Sequence, residues 1–144
     1  MFREIRGVQQ RRTDGGRKRW FQDPYFDLFV VQSMLGRVHW FQLCYRRDTP
    51  FERVLEWKRG AGFLHLRVKQ PLHSRSAESS VLELDGAMPH YDVLERLEAS
   101  PGLPEPIAAF VARKVREHER PSQRFRHPRA HPPRWLQRLR KRGL

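Results

Sequence analysis

Cysteine is nearly missing from this chain of 144 residues: Cys44 is the only one. A lone thiol can neither close an internal disulfide nor build a zinc site from thiolates. Long apolar runs are missing too, since no stretch nears the roughly 20 residues that a membrane-spanning helix needs. The basic N-terminus is not followed by an apolar core of about 7–15 residues, so a secretory leader is not expected. Acidic residues are missing from one end: residues 120–144 hold nine basic side chains and no carboxylate. These absences predict a small cytoplasmic protein with no transmembrane segment.

The formal charge of +13 belongs to the two ends. Residues 1–19 carry seven basic side chains against Glu4 and Asp14, while residues 20–119 carry 13 basic and 14 acidic ones. The middle of the chain is therefore close to neutral. Flexible basic ends bind phosphates through counterion release, without sequence preference. Arg11, Arg12, Arg17, Lys18 and Arg19 at one end, and Arg134, Arg138, Arg140, Lys141 and Arg142 at the other, are the candidate polyanion-binding residues. The competing reading makes both ends solvated extensions.

Turn signals divide the chain. Asp14-Gly15-Gly16 reads as a linker, so residues 1–16 are expected to be a basic flexible arm, with order beginning near Arg19. From there, strand-forming runs alternate with turns: Phe26 to Gln32, Arg37 to Tyr45, Phe51 to Lys58 and Gly62 to Lys69. Val81 to Leu84 is a short fifth candidate. The links are too short for crossover helices, which predicts an antiparallel meander. Pro89 to Ala99 and Glu105 to His118 show helical spacing, the second with an apolar stripe of Ile107, Phe110, Val111 and Val115. The expected fold is α+β, a meander of four to five strands with two C-terminal helices on one face, in a single domain over 17–118. Residues 119–144, rich in Pro, Arg and His, are expected to form a disordered tail. Within it Arg134 to Arg142 could form a short basic helix.

The runs Arg19-Trp20-Phe21, Phe26-Asp27-Leu28 and Phe41-Gln42-Leu43-Cys44-Tyr45, with Glu52, Trp57, Gly62-Phe63 and His65, resemble a family of small uncharacterised bacterial proteins. The resemblance covers about residues 17–118 and implies one compact α+β domain. It implies no activity, cofactor or catalytic residue.

Register decides which side chains meet. With Ser33–Gly36 closing the first hairpin, Val31 is expected opposite Val38 and Asp27 opposite Gln42. With Arg46–Pro50 closing the second, Tyr45 falls opposite Phe51 and Cys44 opposite Glu52. A two-residue Arg59-Gly60 turn then puts Leu64 and Leu66 on the side of Phe26, Leu28, Val30, Phe41, Leu43, Leu55 and Trp57. That is the face expected to lie under the helices.

The opposite face collects Asp27, Phe29, Trp40, Gln42, Cys44, Glu52, Glu56, His65 and Arg67. Polar, titratable and aromatic groups converge only there, which makes it the candidate site. The chemistry is weak at each position. Cys44 beside Glu52 lacks a cation to make it a thiolate. His65 and Asp27 lack a serine or reactive cysteine between them, and Glu52 with Arg67 suits a surface ion pair. His127 and His131 have helical spacing, but Pro128, Pro132 and Pro133 forbid that helix; no metal or cofactor is implied. The aromatics could stack unpaired bases, yet Asp27, Glu52 and Glu56 repel phosphates. The expected function is a non-enzymatic interaction module with a protein partner. Nonspecific RNA or DNA binding through the termini is one alternative. A small-molecule or hydrolytic site on the polar face, around His65, Glu56 and Asp27, is the other.

Overall fold

The alternation of apolar and polar residues between Arg17 and Val68 is spent on one continuous antiparallel sheet. The computed structural model describes residues 1–6, 16–68, 82–84 and 88–119. Its strands are β1 (Arg3–Glu4), β2 (Arg17–Gln22), β3 (Phe26–Gln32), β4 (Val38–Tyr45), β5 (Arg53–Lys58), β6 (Gly62–Val68) and β7 (Leu82–Leu84), followed by α1 (His90–Ala99) and α2 (Glu105–Glu119). The strands hydrogen-bond in chain order, β1 to β7, each antiparallel to the next. The α+β class and the meander are as expected. The sheet is larger than the expected four to five strands because β1 and β2 extend it at the N-terminal side.

The helices bury their stripes on one face. Val93 and Leu97 of α1, and Ile107, Val111 and Val115 of α2, join a core with Phe21, Phe26, Leu28, Val30, Phe41, Leu43, Leu55 and Trp57. Phe110 meets Phe41 and Trp57 edge-on, with ring centroids 6.3 and 5.1 Å apart. Residues at i, i+4 and i+8 on a helix share one side, which is why Ile107, Val111 and Val115 reach the sheet together.

The N-terminal residues do more than an arm would. Phe2 is buried in the core and stacks on Phe26 at 5.7 Å. Its N–H donates to the carbonyl of Pro101 at 2.7 Å, which ties the chain start to the link between the helices. Phe2 therefore belongs to the core although it lies well before Arg19 in the chain. The carboxylate of β1 is matched as well: Arg19 meets Glu4 through two hydrogen bonds, of 2.8 and 3.0 Å.

The hairpins correct the expected register in two ways. Val31 faces Trp40 and Asp27 faces Cys44, with an irregularity between Val31 and Gln32. Tyr45 faces Arg53, and Cys44 faces Val54. Both pairings are displaced by two residues from expectation, which leaves the side chains of β3, β4 and β5 on their expected faces, except that Val38, past the irregularity, pairs with Gln32 and joins the core. The β5–β6 hairpin is different. Lys58 pairs with Gly62 across Arg59, Gly60 and Ala61, so Trp57 faces Phe63 and Leu55 faces His65. The turn has three residues where two were expected, and a slip of one residue inverts a strand. Leu64 and Leu66 consequently lie on the face away from the helices, while His65 and Arg67 move to the helix side.

Candidate functional site

Three rows of side chains cross the face opposite the helices. The first runs Gln22, Asp27, Cys44, Val54 and Leu66; the second Trp20, Phe29, Gln42, Glu56 and Leu64; the third Lys18, Val31, Trp40 and Lys58. Of the expected site residues, Asp27, Trp40, Gln42, Cys44 and Glu56 are brought together. Glu52, just before β5, acts electrostatically on Cys44 and so borders them. His65 and Arg67 are separated from the group by the sheet. A hydrolytic site that combines His65 with Glu56 and Asp27 is thereby taken apart.

Asp27 is an acceptor hub. Its Oδ1 takes the indole N–H of Trp20 at 2.9 Å and the side-chain amide of Gln22 at 2.9 Å, and Arg47 stands 4.0 Å from its Oδ2. Beside it the aromatics are ordered as a stripe. Trp20 and Phe29 stack at 5.3 Å with 19° between the rings. The ammonium of Lys18 lies 5.4 Å from the Phe29 ring and 5.9 Å from that of Trp40. All three aromatics are half-buried.

The centre of the face is buried and polar. Glu56 is 1% exposed and Gln42 8%. The Trp40 indole N–H donates to Oε1 of Glu56, and the Gln42 amide approaches the Cys44 sulfur at 3.8 Å. Oε2 of Glu56 and Oε1 of Gln42 have no hydrogen-bond partner among the described residues, although the two side chains face each other across β4 and β5. Burial pushes the Glu56 carboxyl up to about 8, with the Trp40 bond and Lys58 pulling back. Glu52 rises to about 7, first through burial and then through Asp48 and Asp27, against Arg47. The Cys44 thiol is pushed well up by burial, then by Glu52 and Asp27. Each group is thus held toward its neutral form. A thiol so placed is inert rather than nucleophilic.

A second group, which the sequence reading missed, lies on the helix side. Tyr45 of β4 and His65 of β6 are joined at 2.7 Å between the hydroxyl and Nε2. His90 of α1 and His118 of α2 are joined at 2.8 Å. The signal in the sequence is slight: His90 opens one helix and His118 closes the other, 28 residues apart, and the parity of β6 has to be known before His65 joins them. Among the described residues no group of three or more His, Cys, Asp and Glu side chains is placed to hold a metal ion.

The basic residues at the N-terminal end are divided by strand alternation. Arg17 is exposed, Arg19 is engaged by Glu4, and Lys18 turns to the aromatic stripe. Arg11, Arg12, Arg134, Arg138, Arg140, Lys141 and Arg142 lie outside the described residues, as does the tail helix expected over 134–142. No described helix is long and apolar enough to cross a membrane. Comparisons with protein-family models, with curated proteins and with solved structures return no match for this chain.

Proposed function

We propose that the chain is a non-enzymatic interaction module that takes a protein partner on the sheet face opposite the helices. The observation that supports this reading is the half-buried stripe of Trp20, Phe29 and Trp40, bordered by Lys18 on one side and by Asp27 and Glu52 on the other. Aromatic anchors within a rim of mixed charge are the composition that protein interfaces favour. The Asp27 carboxylate, bonded to the Trp20 indole within the stripe, disfavours a phosphate backbone there. The protonated Cys44 thiol and the removal of His65 to the other face leave the site without a nucleophile–base pair.

Phe29→Ala is the test, because the two tryptophans also hold Asp27 and Glu56. Recovery of the partner from cell extract on the full-length chain should fall by about tenfold or more, the cost of losing an anchor residue. The circular dichroism spectrum should be unchanged. Equal recovery by the folded variant contradicts the proposal.

A further inference from the structure

Three histidines converge on the helix side from elements that are distant in the chain. Nε2 of His90 lies 2.8 Å from Nδ1 of His118. The His118 ring is 5.0 Å from that of His90, 6.0 Å from that of His65 and 5.2 Å from Phe63. His65 is in turn bound to the Tyr45 hydroxyl. An imidazole–imidazole hydrogen bond needs one protonated and one bare nitrogen. It tolerates one added proton and breaks with two.

We propose that His90 and His118 form an acid-released staple that fastens the end of α2 to the start of α1 at neutral pH and lets it go in mild acid. The device is independent of the partner face, since the sheet lies between them.

The surroundings offer little to offset charge on these rings. From β6 the cluster meets His65, and the register adds Arg67 on the same face; from β5 it adds Arg53, opposite both Tyr45 and Arg67. Lys114, one turn before His118 on α2, is bonded to Glu117. Glu119 is the carboxylate whose charge favours protonated His90. No carboxylate among the described residues forms an ion pair with His118. The helix C-terminus does favour a cation at His118. Burial outweighs it, and with the charges of His90 and His65 it holds the ring down at about 4. His90 is also lowered, by burial above all, with Glu119 and the Met88 carbonyl opposing.

The sign follows from proton linkage. The unfolded chain takes up protons near the ordinary 6.5 of histidine, and the folded one resists. The staple's stabilising contribution is therefore complete above about pH 6.5 and is lost as the pH falls toward 4. The turn set free leads directly into the basic segment 120–144.

Amide hydrogen exchange on the full chain at pH 7 and pH 4.5, corrected for intrinsic exchange, tests this. Protection in the last turn of α2 should drop by about tenfold or more at the lower pH, while β3, β4 and β5 keep theirs. His118→Gln offers His90 a hydrogen-bonding amide that takes no proton, and it should hold that turn equally at both pH values. Equal protection at both pH values in the unsubstituted chain overturns the proposal, as does an unchanged acid response in His118→Gln. If that variant does not fold, imidazole NMR of the unsubstituted chain decides. Two separated steps below the ordinary value support the staple, and independent titration of both rings at the ordinary value overturns it.

Discussion

Lys58 pairs with Gly62 across a three-residue turn, and that closure sets His65 beside Leu55 on the helix-covered face. Gly60 and Gly62 both hold positive φ, near 81° and 85°, as a tight closure of this kind requires. Deleting Ala61 leaves a two-residue turn and inverts β6. Leu64 and Leu66 are then driven toward the helices and His65 away from them. We expect the loss of several kcal/mol, enough to erase a cooperative urea transition in a marginally stable domain. Gly60→Ala is the control: a Cβ there meets nothing within 4 Å, so only backbone strain of about 1–2 kcal/mol is added. A deletion no worse than the control contradicts the register.

The N-terminus is predicted to act as part of the core. Phe2→Ala removes a buried ring that stacks on Phe26 and should cost about 3–5 kcal/mol. Gly102→Ala should be damaging from the other side of the same contact. Its φ is +108°, and an added Cβ would come within 2.2 Å of the Phe2 carbonyl oxygen. Thermal unfolding measures both. A Phe2→Ala chain melting within a degree of the original contradicts the docking of the N-terminus.

Asp23 joins the sheet to the helices through three donors. Its Oδ1 accepts the N–H groups of Tyr25 and Phe26 at 2.7 and 2.6 Å, and its Oδ2 the Ser100 hydroxyl at 2.6 Å. Asp23→Ala strands a buried donor in the turn and should cost about 2–4 kcal/mol. Ser100→Ala removes one bond and should cost about 1 kcal/mol. Urea titration separates the two, and equal effects contradict the assignment of the turn donors.

Glu56 makes a fall of stability with rising pH testable. Its carboxyl is raised to about 8 in the fold from an ordinary value near 4.5. Below about pH 4.5 the group is protonated in both states and costs nothing. As the pH climbs, the unfolded chain releases the proton first, so stability falls until about pH 8 and then levels. Glu52, raised to about 7, acts in the same direction. Glu56→Gln cannot ionise and should gain about 1–3 kcal/mol at pH 8 with little change at pH 4.5. Denaturation at the two pH values checks this, and a uniform effect at both contradicts a neutral buried carboxyl. The two histidines act oppositely between about pH 4 and 6.5, a window that overlaps that of Glu56. The two effects offset each other there, and the fall belonging to Glu56 stands alone only above about pH 6.5.

The class, the order of β3 to β7 and both helices were legible because alternation, turn residues and helical spacing are local signals, whereas β1 and β2 were not read as strands. Phe26 to Gln32 was read with its observed ends, and the apolar stripe of α2 was read residue for residue. The faces of β3, β4 and β5 were legible too, since an error of two residues keeps parity. The face of β6 was not. Arg59-Gly60 and Arg59-Gly60-Ala61 are equally plausible turns, and Phe63, Leu64 and Leu66 offer apolar residues to either face. His65 was misplaced for that reason, and with it the histidine cluster. The place of Phe2 was hidden because its partners, Phe26 and Pro101, are distant in sequence and the intervening residues read as a linker.

The central claim is that the aromatic stripe receives a protein. A photo-crosslinking benzoyl-phenylalanine in place of Phe29, compared with one in place of the exposed Tyr91 on α1, tests it most directly in living cells. The account predicts a discrete protein adduct from position 29 and none from position 91. No adduct from position 29, whatever position 91 yields, contradicts it.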